Sequence, residues 1–175
     1  MEQLSAPLEA IESIYRENLF LAREVRPPSA ALVVARVVAL LKEHGTPAIV
    51  YVPRVNEAER LLAGLRHALA DTAEVVETYH GAGASGTKAL SDAERARVLA
   101  QFLSAGATVV VATCAFGLGI NKRGIRQIIH DGAPIDFLDG CAQPPPALGA
   151  EKKTLPALHL LLVARPSLSC DLPER

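Results

Sequence analysis

The most constraining feature of this sequence is a short apolar run that ends in a glycine-containing polar loop. Residues 108–112 read TVVVA and are bounded by Gly106 and Thr113. A run of this length, rich in β-branched residues and without polar alternation, is typical of a strand buried on both faces of a parallel sheet. Ligands bind such sheets at the carboxyl ends of the strands. The loop that follows the run is therefore the first candidate for a binding site.

Candidate strands and helices alternate along most of the chain. The apolar strand candidates span residues 19–25, 47–52, 75–79, 108–112, 128–131 and 158–163, and the amphipathic helix candidates span residues 30–44, 57–69 and 92–103. Ser29, Asn56 and Ser91 stand at N-cap positions, where a side-chain oxygen can accept a backbone amide. Gly45 stands just past the first helix, where a helix-ending glycine is common. This alternation predicts an α/β domain whose parallel sheet carries helices on both faces.

The spacing of apolar residues predicts which side of each helix faces the core. The predicted inward residues are Leu32, Val33, Val37, Leu40 and Leu41 in the first helix, Ala58, Leu61, Leu62, Leu65 and Leu69 in the second, and Ala96, Leu99 and Phe102 in the third. Because the chain has few aromatic residues and no tryptophan, the core is expected to consist mainly of aliphatic side chains.

Composition excludes several classes of protein. The net charge of −1 means that the chain as a whole is not a basic nucleic-acid binder, so any such contact must come from a local patch. The three cysteines form no Cys-x-x-Cys pair, which argues against a disulfide framework or a zinc site. No apolar run approaches the ~20 residues of a membrane span, and the acidic N-terminal segment does not resemble a secretory signal. We expect a soluble, intracellular protein of the cytoplasm or nucleus, without a membrane partner.

The loop after the central apolar run carries a specific motif, since residues 111–122 read VATCAFGLGINK. This string resembles motif V of superfamily-two helicases and is similar above all to the form found in RecQ DNA helicases. Residues 48–52, AIVYV, are similar to motif IV, and residues 78–81, TYHG, are similar to the segment that follows it. The resemblance implies a RecA-like helicase C-terminal lobe over residues 18–165. The apolar spacing of residues 1–17 predicts a lead-in helix or linker before it, and residues 166–175 are expected to form a loose tail. In that family the lobe is a three-layer α/β domain.

The resemblance also implies roles for single residues. The residues expected to face nucleotide, at the cleft between two lobes, are Gly119, Asn121, Lys122 and Gln143. Thr113 is expected to touch the nucleic-acid backbone, and the other expected nucleic-acid-binding residues are His80, Gly81 and Arg123.

Structural alternatives remain open for four of these positions, Thr113, His80, Lys122 and Arg123. The Thr113 hydroxyl could hydrogen-bond a neighbouring loop, and His80 could be a hydrogen-bonded loop histidine. Lys122, Arg123 and Arg126 together form the best local basic cluster, but a solvated surface would explain the same cluster.

The chain departs from the family where the family's motif VI should stand. Gln143 and Gly149 hold their places, but Ala147 and Ala150 occupy both positions where the family has arginine, and three prolines follow Gln143. An arginine that reaches the transferred phosphate accelerates phosphoryl transfer by about three to five orders of magnitude. The chain also lacks a Gly-x-x-x-x-Gly-Lys-Ser/Thr loop and an Asp-Glu-x-His segment. We therefore expect no catalytic residue and no metal site, with ATP and Mg²⁺ relevant only if a first RecA-like lobe is supplied.

Two functions remain open at this point. The first is the C-terminal motor lobe of a RecQ-like, ATP-dependent 3′→5′ DNA helicase that is not catalytic on its own. The alternative is a degenerate helicase lobe that serves as a nucleic-acid-binding or protein-docking module in a larger assembly. The expected partners are single-stranded nucleic acid and a first RecA-like lobe or another protein. The resemblance favours DNA over RNA, and the residues themselves leave both open.

Overall fold

The protein is built around one parallel β-sheet. The computed structural model describes residues 19–81, 89–104, 106–116, 122, 124–132 and 157–163. Its strands are β1 (Leu19–Val25), β2 (Ala48–Tyr51), β3 (Val76–Tyr79), β4 (Val109–Ala112), β5 (Gln127–Asp131) and β6 (Ala157–Val163), and its helices are α1 (Ala30–His44), α2 (Val55–Ala68) and α3 (Asp92–Leu103). The six strands lie in the order β1-β6-β5-β2-β4-β3, and each pair of neighbours is parallel. The predicted α/β fold with a parallel sheet is confirmed.

The helices cover both faces of the sheet. In β2, Val50 belongs to the apolar cluster formed with α1 and α2, whereas its neighbour Ile49 belongs to the cluster that contains Phe102 of α3. The same alternation holds in β4, where Val111 faces α1 and α2 and Val110 faces the α3 side. Because successive strand residues point to opposite faces, a continuous apolar run fills two cores at once. The predicted three-layer architecture follows from this pattern.

Local capping signals define α1 and α3. The Ser29 side chain accepts a hydrogen bond from the Leu32 amide, and Gly45 ends α1 with φ of 80°. At α3, the Ser91 hydroxyl accepts from the Glu94 amide while the Glu94 carboxylate accepts from the Ser91 amide, which completes a capping box. Both helices have the bounds that the sequence predicts.

The start of α2 corrects the prediction that Asn56 is an N-cap. The N-cap is Arg54, whose side chain makes no capping hydrogen bond. Instead, the backbone oxygen of Arg54 accepts from the amides of Glu57 and Ala58, at 3.1 Å each. These two bonds close a first turn that contains Asn56, so the helix begins at Val55 and Asn56 lies within it.

Two residues predicted to face inward are exposed. Leu32 is 51% exposed, because the buried stripe of α1 begins at Val33 and continues through Val37. Ala96 is exposed, because the buried residues of α3 are Val98 and Phe102, which lie one helical turn apart. A residue two positions before Val98 lies on the opposite side of the helix.

The predicted segments 1–17 and 166–175 lie outside the residues that the structure describes. The proposed division of the chain therefore stays a prediction. Within the described ranges, no helix combines the length and the apolar character needed to cross a bilayer.

Candidate functional site

The carboxyl ends of the strands form one rim of the sheet, and Thr113 is fixed there. Hydrogen bonding continues past the end of β4: the Thr113 amide donates to the Tyr79 oxygen at 3.2 Å, and the Val52 amide donates to the Ala112 oxygen at 2.8 Å. Thr113 is 8% exposed. The first residue of the motif V loop is therefore held directly between the ends of β2 and β3.

An aromatic group supports the next residues of that loop. Phe116 is buried, and its ring lies 4.7 Å from the Tyr79 ring and 5.8 Å from the Phe102 ring, measured between centroids. Its backbone oxygen accepts a hydrogen bond from the Tyr51 hydroxyl at 2.8 Å, and its amide donates to the Thr113 oxygen at 3.0 Å. We call residues 113–116 the rim turn. Contacts from β2, β3 and α3 hold it in place.

The Tyr51 hydroxyl stays protonated at neutral pH and can therefore donate its hydrogen bond to Phe116. Burial raises the pKa of Tyr51 well above its ordinary value, and the nearby Cys114 side chain raises it further. The Tyr51 ring also stacks on His130 of β5, with the centroids 5.1 Å apart. Cys114 itself is exposed and carries a free thiol, so the rim turn presents a thiol group to solvent.

Lys122 lies at the far end of the motif V loop and is buried, with 7% of its surface exposed. Its ammonium donates to the Phe102 oxygen at 2.5 Å and to the Leu103 oxygen at 3.4 Å, both in the last turn of α3. It also lies 5.0 Å from the centroid of the Phe102 ring. Burial lowers the pKa of Lys122 below its ordinary value. The structure places this ammonium on α3, and its expected contact with nucleotide stays a prediction.

His80 follows β3 at the same rim and is 1% exposed. Its Nδ1 lies 3.0 Å from the Gly81 oxygen, and its Nε2 lies 2.9 Å from a carboxylate oxygen of Glu59 on α2. Gly81 is half-buried beside it. Both ring nitrogens therefore have partners within the protein, as the structural alternative for His80 proposes. The expected nucleic-acid contacts of His80 and Gly81 stay predictions.

The structure brings only part of the predicted site together. Thr113, His80 and Gly81 meet at the ends of β3 and β4, because the Thr113 amide bonds directly to the residue before His80. Four predicted positions lie outside the described residues, namely Gly119, Asn121, Arg123 and Gln143, as do the two alanines of the altered motif, Ala147 and Ala150.

Residues 32–143 match the helicase conserved C-terminal domain. This chain belongs to that helicase family. RecQ-family helicases are its homologues over this region. The probable ATP-dependent DNA helicase RecS of Bacillus subtilis is 29% identical over 132 residues, which are 75% of this chain and 24% of RecS. The ATP-dependent DNA helicase RecQ of Haemophilus influenzae is 34% identical over 95 residues, which are 54% of this chain and 14% of RecQ. The chain thus spans about a quarter or less of these relatives.

Solved structures show the same fold for this helicase domain. Domain 2 of the DEAD-box helicase Mss116p, bound to an RNA duplex, superposes with a TM-score of 0.62 at 15% identity, over 83% of this chain and 54% of that one. The C-terminal domain of the DEAD-box protein Dbp5 gives a TM-score of 0.54 at 17% identity, over 82% of this chain and 75% of that one. Their cores are RecA-like helicase C-terminal domains.

Sequence reasoning missed one rim contact of the helicase domain, an ion pair between Arg26 and Asp131. Asp131 ends β5 and is 5% exposed, and Arg26 follows β1 directly. The guanidinium Nη2 lies 2.9 Å from Oδ2 of Asp131. A carboxylate at the end of a buried strand signals that a cation must be near, but the two residues are 105 positions apart.

The described part of the helicase domain offers few candidate ligands for Mg²⁺. In the part of the chain that the structure covers, no group of three or more His, Cys, Asp or Glu side chains could hold a metal ion. Asp131 at the rim is paired with Arg26, and the buried ammonium of Lys122 is bound to the last turn of α3. The expectation that ATP and Mg²⁺ are relevant only when a first RecA-like lobe is supplied stays a prediction.

Proposed function

We propose that this domain is the second motor lobe of a RecQ-like, ATP-dependent 3′→5′ DNA helicase, working with a first RecA-like lobe. The observation that carries the proposal is the motif V string and its place in the fold. The string begins in β4, and its rim turn lies at the carboxyl edge of the sheet, held by Tyr51 and Phe116. Ligands of parallel α/β sheets bind at this edge. The RecQ-family relatives support DNA as the nucleic acid.

In this proposal the domain binds single-stranded DNA at the rim of the sheet. Thr113, Gly81 and the basic residue Arg123 contact the backbone, so binding depends on charge and not on base sequence. The net charge of the chain is −1, so the affinity of the isolated domain is low. Each phosphate contact releases a counterion, and log K therefore falls with log salt concentration by about 0.7 per contact on single strands.

The domain does not hydrolyse ATP by itself in this proposal. ATP and Mg²⁺ bind to the first lobe, and Gly119, Asn121 and Gln143 of this chain face the nucleotide from across the cleft. Alanine at positions 147 and 150 cannot supply the charge that an arginine brings to phosphoryl transfer. The assembled pair of lobes is therefore expected to bind DNA but to turn over ATP slowly or not at all.

Complementation with a first lobe tests the motor function. The first lobe of the Bacillus subtilis relative is mixed with this chain, and DNA-stimulated ATP hydrolysis is measured. The natural chain is expected to leave hydrolysis at the background of the first lobe. Ala147→Arg combined with Ala150→Arg is expected to raise it, whereas Ala63→Arg combined with Ala70→Arg, at exposed positions of and after α2, is expected to have no effect.

The outcomes separate three cases. Stimulation by the natural chain overturns the inactive half-site. Stimulation by the arginine variant alone supports both the motor ancestry and the role of the two alanines. Failure of every variant, together with failure of the chain to bind a single-stranded oligonucleotide, overturns the motor function.

The docking module is the second candidate, and the three prolines after Gln143 favour it. Proline removes a backbone donor and disfavours helix at the preceding residue, so the family's motif VI geometry is not expected here. A docking module binds its partner lobe with the same affinity with or without ATP and DNA. Sedimentation of the mixed lobes with and without both ligands distinguishes it from a motor lobe, whose affinity for its partner depends on them.

A further inference from the structure

The Lys122 ammonium is buried and bound to backbone oxygens of α3, whereas the ammonium of a ligand-binding lysine is directed into a binding site. The Lys122 ammonium donates to the oxygens of Phe102 and Leu103 and lies over the Phe102 ring. The last carbonyls of a helix have no partner within the helix and carry the negative end of its dipole. A cation at this place satisfies these oxygens and is itself stabilised. The hydrogen bonds from the Lys122 ammonium to Phe102 and Leu103 are thus directed towards α3.

The Phe102 ring links Lys122 to the rim turn. One side of Phe102 meets the lysine ammonium, and its ring also makes an edge contact with the Phe116 ring. Phe116 in turn closes the rim turn by donating its amide to Thr113. The two described ends of the motif V loop, Phe116 and Lys122, therefore converge on one side chain of α3.

We propose that Lys122 is a positioning residue that fixes the motif V loop to the last turn of α3, and that it does not contact phosphate. The Lys122 ammonium binds the end of α3, so that both described ends of the loop, Phe116 and Lys122, stay packed against Phe102. Thr113 is thereby held at the rim, where DNA would bind. The part of the proposal that concerns DNA rests on the proposed function above. The part that concerns the rim turn does not, because it depends only on contacts within the chain.

Amide hydrogen exchange tests the positioning role without any ligand. Lys122→Met keeps the aliphatic stem but removes the donors, so exchange in residues 113–116 and at the end of α3 is expected to rise about tenfold, the loss of roughly one hydrogen bond. Lys122→Arg, which keeps a cation with several donors, is expected to restore most of the protection. Lys42→Met is the matched control, because Lys42 is an exposed lysine in the last turn of α1.

Unchanged exchange at residues 113–116 in Lys122→Met overturns the proposal. If Lys122→Met does not fold, Lys122→Gln serves in its place, since its amide keeps a donor without the charge. Faster exchange at the rim turn in Lys122→Gln then supports the proposal, and exchange equal to that of the natural chain overturns it.

The salt dependence of DNA binding tests the second half of the proposal. A single-stranded dT oligonucleotide is titrated between 50 and 200 mM salt. A phosphate contact contributes about 0.7 to the slope of log K against log salt. Lys122→Met is expected to weaken binding severalfold while leaving the slope unchanged, whereas Arg123→Ala is expected to reduce the slope by about 0.7.

A slope reduced by Lys122→Met as much as by Arg123→Ala would show a direct phosphate contact and overturn the proposal. If the natural chain binds no oligonucleotide, the proposed function fails. The exchange experiment still decides whether Lys122 positions the rim turn.

Discussion

Arg26 and Asp131 form a two-pronged ion pair that joins the end of β1 to the end of β5 across the intervening strand β6. The guanidinium Nε lies 2.5 Å from Oδ1 and Nη2 lies 2.9 Å from Oδ2. Only 5% of the Asp131 side chain is exposed, against 32% of the Arg26 side chain. A parallel fork of this kind gives both strength and direction to an ion pair. It fixes β1, one of the two edge strands of the described sheet, to the rim that carries the candidate site.

Arg26→Leu is expected to lower the free energy of unfolding by about 2–3 kcal/mol, because it leaves a buried carboxylate without its cation. This loss in the free energy of unfolding is smaller than the loss expected for a fully buried ion pair, because part of the Arg26 side chain is exposed to water. Arg26→Leu combined with Asp131→Asn is expected to recover about 1 kcal/mol of the loss, because the double variant no longer contains an unpaired buried carboxylate. Urea unfolding of the single and double variants gives the coupling energy.

The control for this cycle is the Arg36–Glu24 pair, whose side chains are 32% and 38% exposed. Exposed pairs contribute about 0.2–1 kcal/mol, so its coupling is expected to be the smaller of the two. A coupling for Arg26–Asp131 no larger than that of the control would contradict the role given to burial.

Tyr51 is expected to make stability depend on pH in the alkaline range. Burial raises the folded-state pKa of Tyr51 above its unfolded value, so the folded protein holds this proton after the unfolded chain has lost it. Stability from this source is fully present below about pH 10, the ordinary tyrosine value, and decreases as pH rises further, by at most about 1.4 kcal/mol per unit.

Tyr51→Phe removes both this titration and the hydrogen bond to Phe116. The variant is expected to be about 1 kcal/mol less stable than the natural chain near pH 8. The deficit is expected to shrink as pH rises from 10 to 11.5, because only the natural chain loses the Tyr51 contribution. Other groups titrate equally in both proteins, so the difference in unfolding free energy is the measurement. A deficit that stays constant over this range would contradict the prediction.

The bounds of α1 and α3 are predictable from sequence because their signals are local. Each combines a serine N-cap with apolar residues spaced at one helical turn, and Gly45 adds a stop at the end of α1. Every one of these signals lies within a few residues of the boundary that it specifies. The predicted bounds of α2 are less accurate, because backbone bonding to Arg54, and not a side-chain cap, starts that helix.

The partners of the site residues are not predictable in the same way. The motif string identifies where Lys122 stands in the sequence. It does not show that the Lys122 ammonium binds the backbone oxygens of Phe102 and Leu103, which lie 20 and 19 positions earlier at the end of α3. Likewise, no local pattern at His80 points to Glu59, which lies 21 positions earlier. Such contacts depend on how α2 and α3 are placed against the sheet, which is a property of the whole fold.

Gly64 of α2 marks a close approach between α1 and α2. A Cβ atom at Gly64 would lie 2.6 Å from Cγ2 of Val34 on α1. Glycine costs about 1 kcal/mol relative to alanine in a helix, yet overpacking typically costs about 1–3 kcal/mol. Val34 is β-branched and has little freedom to move away. Gly64→Ala is therefore expected to lower the free energy of unfolding by about 1 kcal/mol.

Removing the obstacle is expected to reverse the sign of this effect. In a Val34→Ala background the contact is absent, so Gly64→Ala is expected to stabilise the protein by a few tenths to about 1 kcal/mol through helix propensity. Urea unfolding of the four proteins gives both values. The same destabilisation in both backgrounds would show that the contact with Val34 is not the cause.

The outer edge of β3 is covered by two arginines. Val75 and Tyr79 direct their carbonyl oxygens to β4, so the Val76 oxygen points away from the sheet, and it accepts from Nε of Arg66 at 3.0 Å. Arg66 and Arg97 also bind opposite oxygens of Glu77, at 3.1 and 3.0 Å. Because β3 is the last strand of the sheet, this network covers an edge that would otherwise be open to pairing with another chain.

Arg66→Ala combined with Arg97→Ala is expected to increase self-association, because it exposes the Val76 oxygen and removes the charges that keep a second strand away. Light scattering during incubation at raised protein concentration measures the effect. Arg60→Ala combined with Arg95→Ala is the control, since it removes the same charge from α2 and α3 without touching β3. If both double variants associate equally, net charge and not protection of the β3 edge controls self-association. If only the first associates, the covering of Val76 by Arg66 is what keeps this edge from pairing.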